Sequence, residues 1–519
     1  MRTPVVRLPL FLLVLCLSLT TDLCLGQSPK ARGRTKPNEN NLIRPEYYAA
    51  LEFYEDGMTG QAFVGFEQAL EQSRQINNQR GIDSIPPLVL MGECLLTQGD
   101  IGAALERYEA ALAISTRCSQ WLQLLGTPPQ SDRTEQRHRE VNWTVANSRT
   151  ASYTSTNELW PIPIGNQDAL LELDGMKRDS GKPVNVDALE IMRCQAIALR
   201  RRHLLQGKLT PFNPMTPVLS KVFEVPKIDN PHESIRVAEK VCNALAMLST
   251  DTNRSFVIQQ LKQNLSLPNG NDHSLTPVAL LALTDLAIDS NDITSAEDYA
   301  LEASLCGARA QHAEHVEEAI ELWSMCAGQN QRDAAITSRI LQQVATWASS
   351  RSKLVAIRAQ VEIVRQAALR GDKEGAKKQS SIATSMLLPQ PILLPRMEAA
   401  VSYSLARVAF LDGNIEQGIQ KIDESLAGLK GASDLSCASP TLYQLALAKK
   451  LAEEKQINRD QAETILDSLL HSDRIGRWKT SIVEQLILLT TDKLPYVRLF
   501  LQSQLATENA PAHLAAWDT

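Results

Sequence analysis

Four glycines set the frame of this chain. Gly57 and Gly99 stand 42 residues apart, Gly371 and Gly413 stand 42 apart again, and a small residue follows each of them five positions later. Those small residues are Ala62, Ala104, Ala376 and Gly418. A period of this size marks stacked supersecondary units, because one helical hairpin cannot bury its apolar face alone and must lean on a neighbour. Around the second turn the apolar spacing is helical on both sides. Leu88, Met91 and Leu95 form a stripe before Gly99-Asp100, and Ala104, Tyr108 and Ala111 form the facing stripe after it. Gly92 and Ala104 let the two helices approach, while Leu95 and Tyr108 fill the space between them.

These residues resemble the tetratricopeptide repeat family, whose motif sets a small residue in the first helix, an alanine early in the second, then an aromatic and another alanine. Gly92, Ala104, Tyr108 and Ala111 match it, as do Ala50, Phe53, Ala62, Phe66 and Ala69 upstream. Farther on, the pattern returns at Asn291-Asp292 with Ala296, Ala300 and Ala303, at Gly371-Asp372 with Ala376 and Ala383, and at Gly413-Asn414 with Gly418 and Ile422. Asn330 with Ala335 fits between them. Starts at 291, 330, 371 and 413 are spaced more widely than the ~34 residues of the standard repeat, so the units are tetratricopeptide-like, with longer helices or connections. The fold class expected is all-α: a superhelix of helical hairpins in two arrays, with an irregular, partly extended insertion between them.

The organisation follows from composition. Arg2 and Arg7 flank a leucine-rich run from Leu8 to Leu19, and Cys24, Leu25 and Gly26 precede Gln27, so residues 1–26 read as a signal peptide cleaved before Gln27. Residues 27–44, with Lys30, Arg32, Arg34 and Lys36 among Pro, Gly and Asn, read as a flexible linker. The first array is expected over 45–124. Pro, Gly and β-formers such as Trp143 and Trp160 mark 125–187 as the insertion, which is expected to hold a short hairpin covering the end of that array. A helix and a Pro-rich connector fill 188–231, and the second array runs from 232 to 519. The Arg200-Arg201-Arg202-His203 run reads as cations complementing a helix C-terminus. After loss of the leader's two Arg and one Asp, the formal charge moves from -6 to -7, which argues against nucleic acid as a partner. No later stretch has the ~20 apolar residues of a membrane span, and the expected place is a secreted or periplasmic one. Seven cysteines spread through the mature chain do not form a disulfide framework.

Motifs for chemistry are sparse. The sequence has no Cys-x-x-Cys pair, no phosphate-cradling glycine loop and no Gly-x-Ser-x-Gly elbow, and no cofactor is expected. His312, His315 and Glu318 could share a helix face as metal ligands, but the neighbouring Glu314 and Glu317 make a solvated face the expected reading, with no metal. Asn142, Asn253 and Asn264 head glycosylation acceptor patterns. The family resemblance implies that the first helix of each hairpin lines the concave side. It places Tyr47, Leu51, Tyr54, Val89, Glu93 and Leu96 there in the first array, and Arg365, Tyr403, Arg407 and Phe410 in the second. The function expected is an exported, non-catalytic scaffold that holds a protein or peptide ligand in that groove. A helical-repeat enzyme acting on cell-envelope polysaccharide, or a structural component of an envelope assembly, is the alternative. At 5% of residues, aromatics give sugar-stacking platforms only thin supply.

Overall fold

The computed structural model describes residues 41–76, 79–125, 184–224, 232–250, 254–389, 392–430 and 439–457, together with 141, 143, 159–162, 461, 464 and 465. The leader, the acceptors Asn142 and Asn253, and residues 466–519 of the second array lie outside the described residues. The elements are almost all helices: α1 (Pro45–Glu55), α2 (Thr59–Glu71), α3 (Ile85–Gln98), α4 (Ile101–Arg117), α5 (Ala188–Gln206), α6 (Met215–Val222), α7 (Glu233–Met247), α8 (Arg254–Gln263), α9 (Thr276–Asp289), α10 (Ile293–Ala310), α11 (Ala313–Gln329), α12 (Ala334–Ala348), α13 (Lys353–Leu369), α14 (Lys373–Leu387), α15 (Pro395–Leu411), α16 (Ile415–Lys430) and α17 (Pro440–Glu453). Two antiparallel strand pairs accompany them, β1 (Gln75–Ile76) with β2 (Gln79–Arg80), and β3 (Trp160–Ile162) with β4 (Val184–Val186). Among the described residues no helix is long and apolar enough to cross a membrane.

The periodic glycines terminate helices. Gly99 closes α3 with φ +89°, a left-handed conformation that glycine adopts without a side-chain clash, and Gly413 does the same after α15 with φ +76°. The next residue then caps the following helix. Asp100 accepts the Ala103 N–H at 3.1 Å, and Asn414 accepts the Gln417 N–H at 3.2 Å. Two residues thus stop one helix and start its partner. Asn291 performs the first step with φ 60°, and Asp292 performs the second. The small residues five positions on are the contact points: Ala62, Ala104 and Ala376 are fully buried. A Cβ on Gly92 would stand 2.5 Å from the Tyr108 ring, so that helix pair closes on glycine alone.

The pattern slips at one repeat. The left-handed residue falls at Gln331, not Asn330, Ala335 is exposed, and α12 packs mainly on α13 instead of on α11. An unforeseen turn at Gln311, also left-handed, joins α10 to α11.

The two arrays are not separate bodies. Neighbouring first helices touch in the order α1, α3, α5, α9, α11, α13, and the chain then returns upon itself, with α13 against α1 and α15 against α3. Side chains seal the return: Ser352 Oγ donates to the Glu55 carbonyl at 2.8 Å and Thr59 Oγ1 to the Leu393 carbonyl at 2.9 Å. One apolar core therefore runs from Leu42 to Ile465. The expected linker ends inside it, for Leu42 and Ile43 are 2% and 1% exposed, and the Leu42 N–H donates to the Asn185 carbonyl. The insertion also reaches past the first array. Trp143 is buried on the second, its Nε1 donating to Ser304 Oγ at 3.0 Å and its ring meeting Trp347 edge-on at 5.3 Å.

Candidate functional site

The helix expected to belong to a connector, α5, is one of the inner helices of the ring. Every residue from Ala188 to Arg200 is buried, although the helix carries Glu190, Arg193 and Arg200. Buried charge is tolerated only when it is paired and hydrogen-bonded, and α5 meets that condition along its length. Arg193 donates to both oxygens of Glu190 at 2.7 and 2.8 Å and pairs with Glu314 of α11. Glu190 also takes the Tyr47 hydroxyl. Nearly two turns from the end, Arg200 grips both oxygens of Glu318 at 2.8 and 2.9 Å and Asp285 at 2.7 Å. Arg201 holds both oxygens of Glu93 at 2.8 and 2.9 Å and reaches Glu318 at 2.6 Å. Arg202 turns outward from the axis to Glu109, which also accepts from Gln206 and Asn213.

Of these groups, Arg201, Glu93, Glu318 and Asp285 border a cavity of about 380 Å³. Its wall is assembled from eight helices: Tyr54 from α1, Glu93, Leu96 and Thr97 from α3, Arg201, Leu204 and Leu205 from α5, Asp285, Ile288 and Asp289 from α9, Glu317, Glu318, Glu321, Leu322 and Met325 from α11, Arg358 from α13, Arg396 and Met397 from α15, and Pro440 and Thr441 from α17. Among the described residues the wall carries six carboxylates, three guanidinium groups and several apolar side chains. That volume lies in the range that accommodates a small ligand or an inserted side chain, ~300–1,000 Å³.

The carboxylates are not equivalent. Burial would push the Glu318 carboxyl up, but Arg200 and Arg201 overcome it and hold the group well below the usual carboxylate range. Asp285 is pushed up to about 6 by burial, which its bond to Arg200 only partly offsets. Glu317 is also raised, by burial first and by the charge of Glu321, against the pull of Arg358. Arg358 is shared: its Nε donates to Glu317 at 2.5 Å, and its other nitrogens stand 3.3 Å from Glu321 and 3.8 Å from Glu362.

Three of the ten expected groove residues, Tyr54, Glu93 and Leu96, line this cavity. The others lie elsewhere. Tyr47, Leu51 and Val89 are buried and are not part of the cavity wall. Closing the ring on α5 turned that stretch of concave face into core. Arg365 is 8% exposed and is bonded to Glu362 and Ser324. Tyr403 is half-buried and Arg407 and Phe410 are exposed on α15, and none of these three is part of the cavity wall.

The solvated-face reading of α11 is overturned. Glu314 and His315 are each 3% exposed, because that face meets α5. His315 stays neutral: burial and then the charge of Arg193 hold it well below its ordinary value. Among the described residues no group of three or more His, Cys, Asp or Glu side chains is spaced to hold a metal ion. The arginine run, too, is more than a set of dipole partners, since its guanidinium groups are spent on carboxylates of other helices. Its signal in the sequence is the complementarity between 200–202 and the acidic stripe of 314–321. Of the acceptor patterns, Asn264 is 6% exposed and its Nδ2 donates to the Gln260 carbonyl at 2.7 Å, so the folded chain does not present it.

No family model matches the chain, and no curated protein matches it. Among solved structures, it is similar to the crystal structure of the APC/C hetero-tetramer Cut9-Hcn1 at 12% identity, covering 91% of this chain and 79% of that one with a TM-score of 0.26.

Proposed function

We propose that the chain is an exported, non-catalytic interaction scaffold that holds a protein or peptide partner at the inner side of its helical ring. The observation that carries this reading is the cavity itself. Its wall draws side chains from eight helices far apart in sequence, which is how repeat proteins build one continuous binding surface from many weak contributors. Its charged groups are locked in pairs, Glu93 to Arg201 and Glu318 to Arg200 and Arg201, an arrangement suited to orienting a ligand and poor at moving protons. Export rests on the leader pattern of Arg2, Arg7 and Leu8 to Leu19.

A photo-crosslinking residue at Leu96, on the cavity wall, tests this in the native exported fraction. The same residue at Val64, 51% exposed on α2, is the control. A recurrent protein adduct at Leu96 and none at Val64 is expected. Adducts of equal yield at both positions, or none at Leu96, would refute the scaffold. A mature chain that does not begin at Gln27 would refute the expected processing.

A second reading, cleavage of a polysaccharide, draws on Asp285 and Glu317, two carboxyls raised by burial as a general acid requires. Among the described residues of the wall, Tyr54 is the one aromatic that could stack on a sugar ring. Polysaccharide turnover that is abolished in Asp285→Asn would establish this reading in place of the scaffold.

A further inference from the structure

Arg201, Leu204 and Leu205 of α5 border the cavity already described, and Met192 and Gln195 of the same helix border a second, smaller one of about 60 Å³. The two share no lining residue. The second is walled by the end of α4 and the turn after it, by α5, by the end of α6 and by α7. We propose that it binds a primary ammonium group on a short alkyl stem. The proposal is independent of the scaffold reading, and holds or fails whether or not the larger cavity takes a partner.

Two acceptors in this wall have no partner. Gln195 is 3% exposed, and its Nε2 donates to Ser115 Oγ at 2.9 Å, which fixes the amide and leaves Oε1 without a hydrogen bond from any described residue. That oxygen is not sealed from solvent, so it opens into the cavity that the side chain lines. Glu239, half-buried on α7, has neither a hydrogen bond nor an ion pair among the described residues. Burial raises its carboxyl with no neighbouring cation to offset it, and Arg236, one turn back, stands 3.6 Å from Glu233 instead. Among the described residues of the wall there is no Lys, Arg or His. Elsewhere on α5 and α11, Glu190, Glu314 and Glu318 are each met by an arginine, whereas Glu239 bears its desolvation without a counter-ion.

A primary ammonium answers both acceptors at once, since it carries three N–H donors and one positive charge. Trp121, 4% exposed, and Phe223 add aromatic walls, whose ring faces attract a cation. Leu122 and Met192 give an alkyl stem apolar surface to lie on. The space is that of ~4–6 waters at ~10–15 Å³ each, enough for an ammonium with a few methylenes and too little for a sugar ring. An anion would meet Glu239 and Glu224 with no cation to receive it, and an alcohol brings one donor and no charge.

The test titrates the full chain, labelled at its methionine methyl groups, with n-butylammonium, n-butanol and butyrate, and follows the Met192 resonance. Met91, 1% exposed on α3 and in neither cavity wall, is the control. Met192 is expected to shift saturably with butylammonium, with an affinity about tenfold above that for butanol, and to ignore butyrate, while Met91 stays in place. Glu239→Gln should weaken butylammonium at least fivefold and keep the thermal midpoint, because the carboxylate has no protein partner to lose. A blocked Gly-Lys-Gly peptide separates the sources of the amine. A Met192 shift with the peptide assigns the lysine of a protein, and a shift with butylammonium alone assigns a free amine. No saturable shift, equal affinities for amine and alcohol in the unsubstituted chain, or an unchanged affinity in Glu239→Gln would overturn the proposal.

Discussion

Substituting alanine for glycine inside a helix normally stabilises, and Gly92 should do the opposite. The helix-propensity gain is about 1 kcal/mol. Against it stands the Tyr108 ring, with Cε1, Cζ and Cδ1 at 2.5, 2.9 and 3.0 Å from the position of the new methyl. Ordinary carbon contacts lie near ~3.5–4.0 Å, so the ring would have to withdraw by about 1 Å. It is fully buried and tethered, since its hydroxyl donates to Glu93 at 2.6 Å and Glu93 is held in turn by two bonds from Arg201. Overpacking of this kind costs ~1–3 kcal/mol, and straining a hydrogen bond to a charged group adds ~1.5 kcal/mol. The net effect of Gly92→Ala is then about 2 kcal/mol of destabilisation. Gly428 on α16 is the internal control, because nothing lies within 4 Å of where its methyl would stand and only the propensity gain remains. Thermal midpoints and amide exchange in α3 and α4 measure both variants. The midpoint should drop by a few degrees in Gly92→Ala with earlier exchange across that hairpin, and hold or rise in Gly428→Ala. A double substitution with Tyr108→Leu should recover at least ~1 kcal/mol of the Gly92→Ala loss, as coupled neighbours do. Two glycine variants that shift alike, or no coupling to Tyr108, would refute the close-approach account of this repeat.

Other consequences are equally measurable. Removing Arg193 alone, as Arg193→Met, leaves Glu190 and Glu314 buried without their cation and should cost ~3–5 kcal/mol, whereas adding Glu190→Gln and Glu314→Gln should return at least half of that; calorimetry of the two proteins decides. His203 is held at about 4 in the folded chain, by burial first and by Arg254, Arg202 and Arg200 against Asp289, and titrates near 6.5 when unfolded. A depressed folded value stabilises above about 6.5 and is lost as pH falls towards about 4, so His203→Gln should flatten the acid limb of the stability profile by up to ~1.4 kcal/mol per pH unit, and an unchanged limb would exclude the assignment. Cys94, Cys118, Cys194, Cys242, Cys306 and Cys326 are all buried, and burial pushes the thiols of Cys242 and Cys326 far above the ordinary range. Iodoacetamide should leave these six unmodified in the native chain and modify all of them in denaturant, as read by peptide mass.

How far the sequence could be read depended on the range of the physics involved. A left-handed glycine, an N-cap beside it and a small residue five positions on act within two helical turns, and Gly99, Asp100 and Ala104 announce their roles without reference to the rest of the chain. Where one of those local cues weakens, so does the reading: Gln311 and Gln331 take left-handed turns that nothing in their chemistry advertises, and Ala335 is a small residue left exposed. The closure of the ring is a different kind of fact. Whether Tyr47 faces a groove or a core depends on Glu190, 143 residues away, and whether Arg200 solvates a helix end or anchors the centre depends on Glu318, 118 residues away. Local rules weigh each charge against water, which is the right prior for most surfaces and the wrong one for α5.

The concave side of an open solenoid is a single surface, but when the solenoid closes, part of that surface becomes wall and only the remainder stays reachable. The register of the repeats cannot tell Tyr47 from Tyr54 on this point, since the two stand on one helix two turns apart and are both buried. Charge balance can. A buried wall must neutralise its ions nearly completely, as Arg193 does with Glu190 and Glu314, whereas a reachable one can leave part of the load to water, as at Glu321, which pairs with Arg358 but keeps 27% of its side chain accessible.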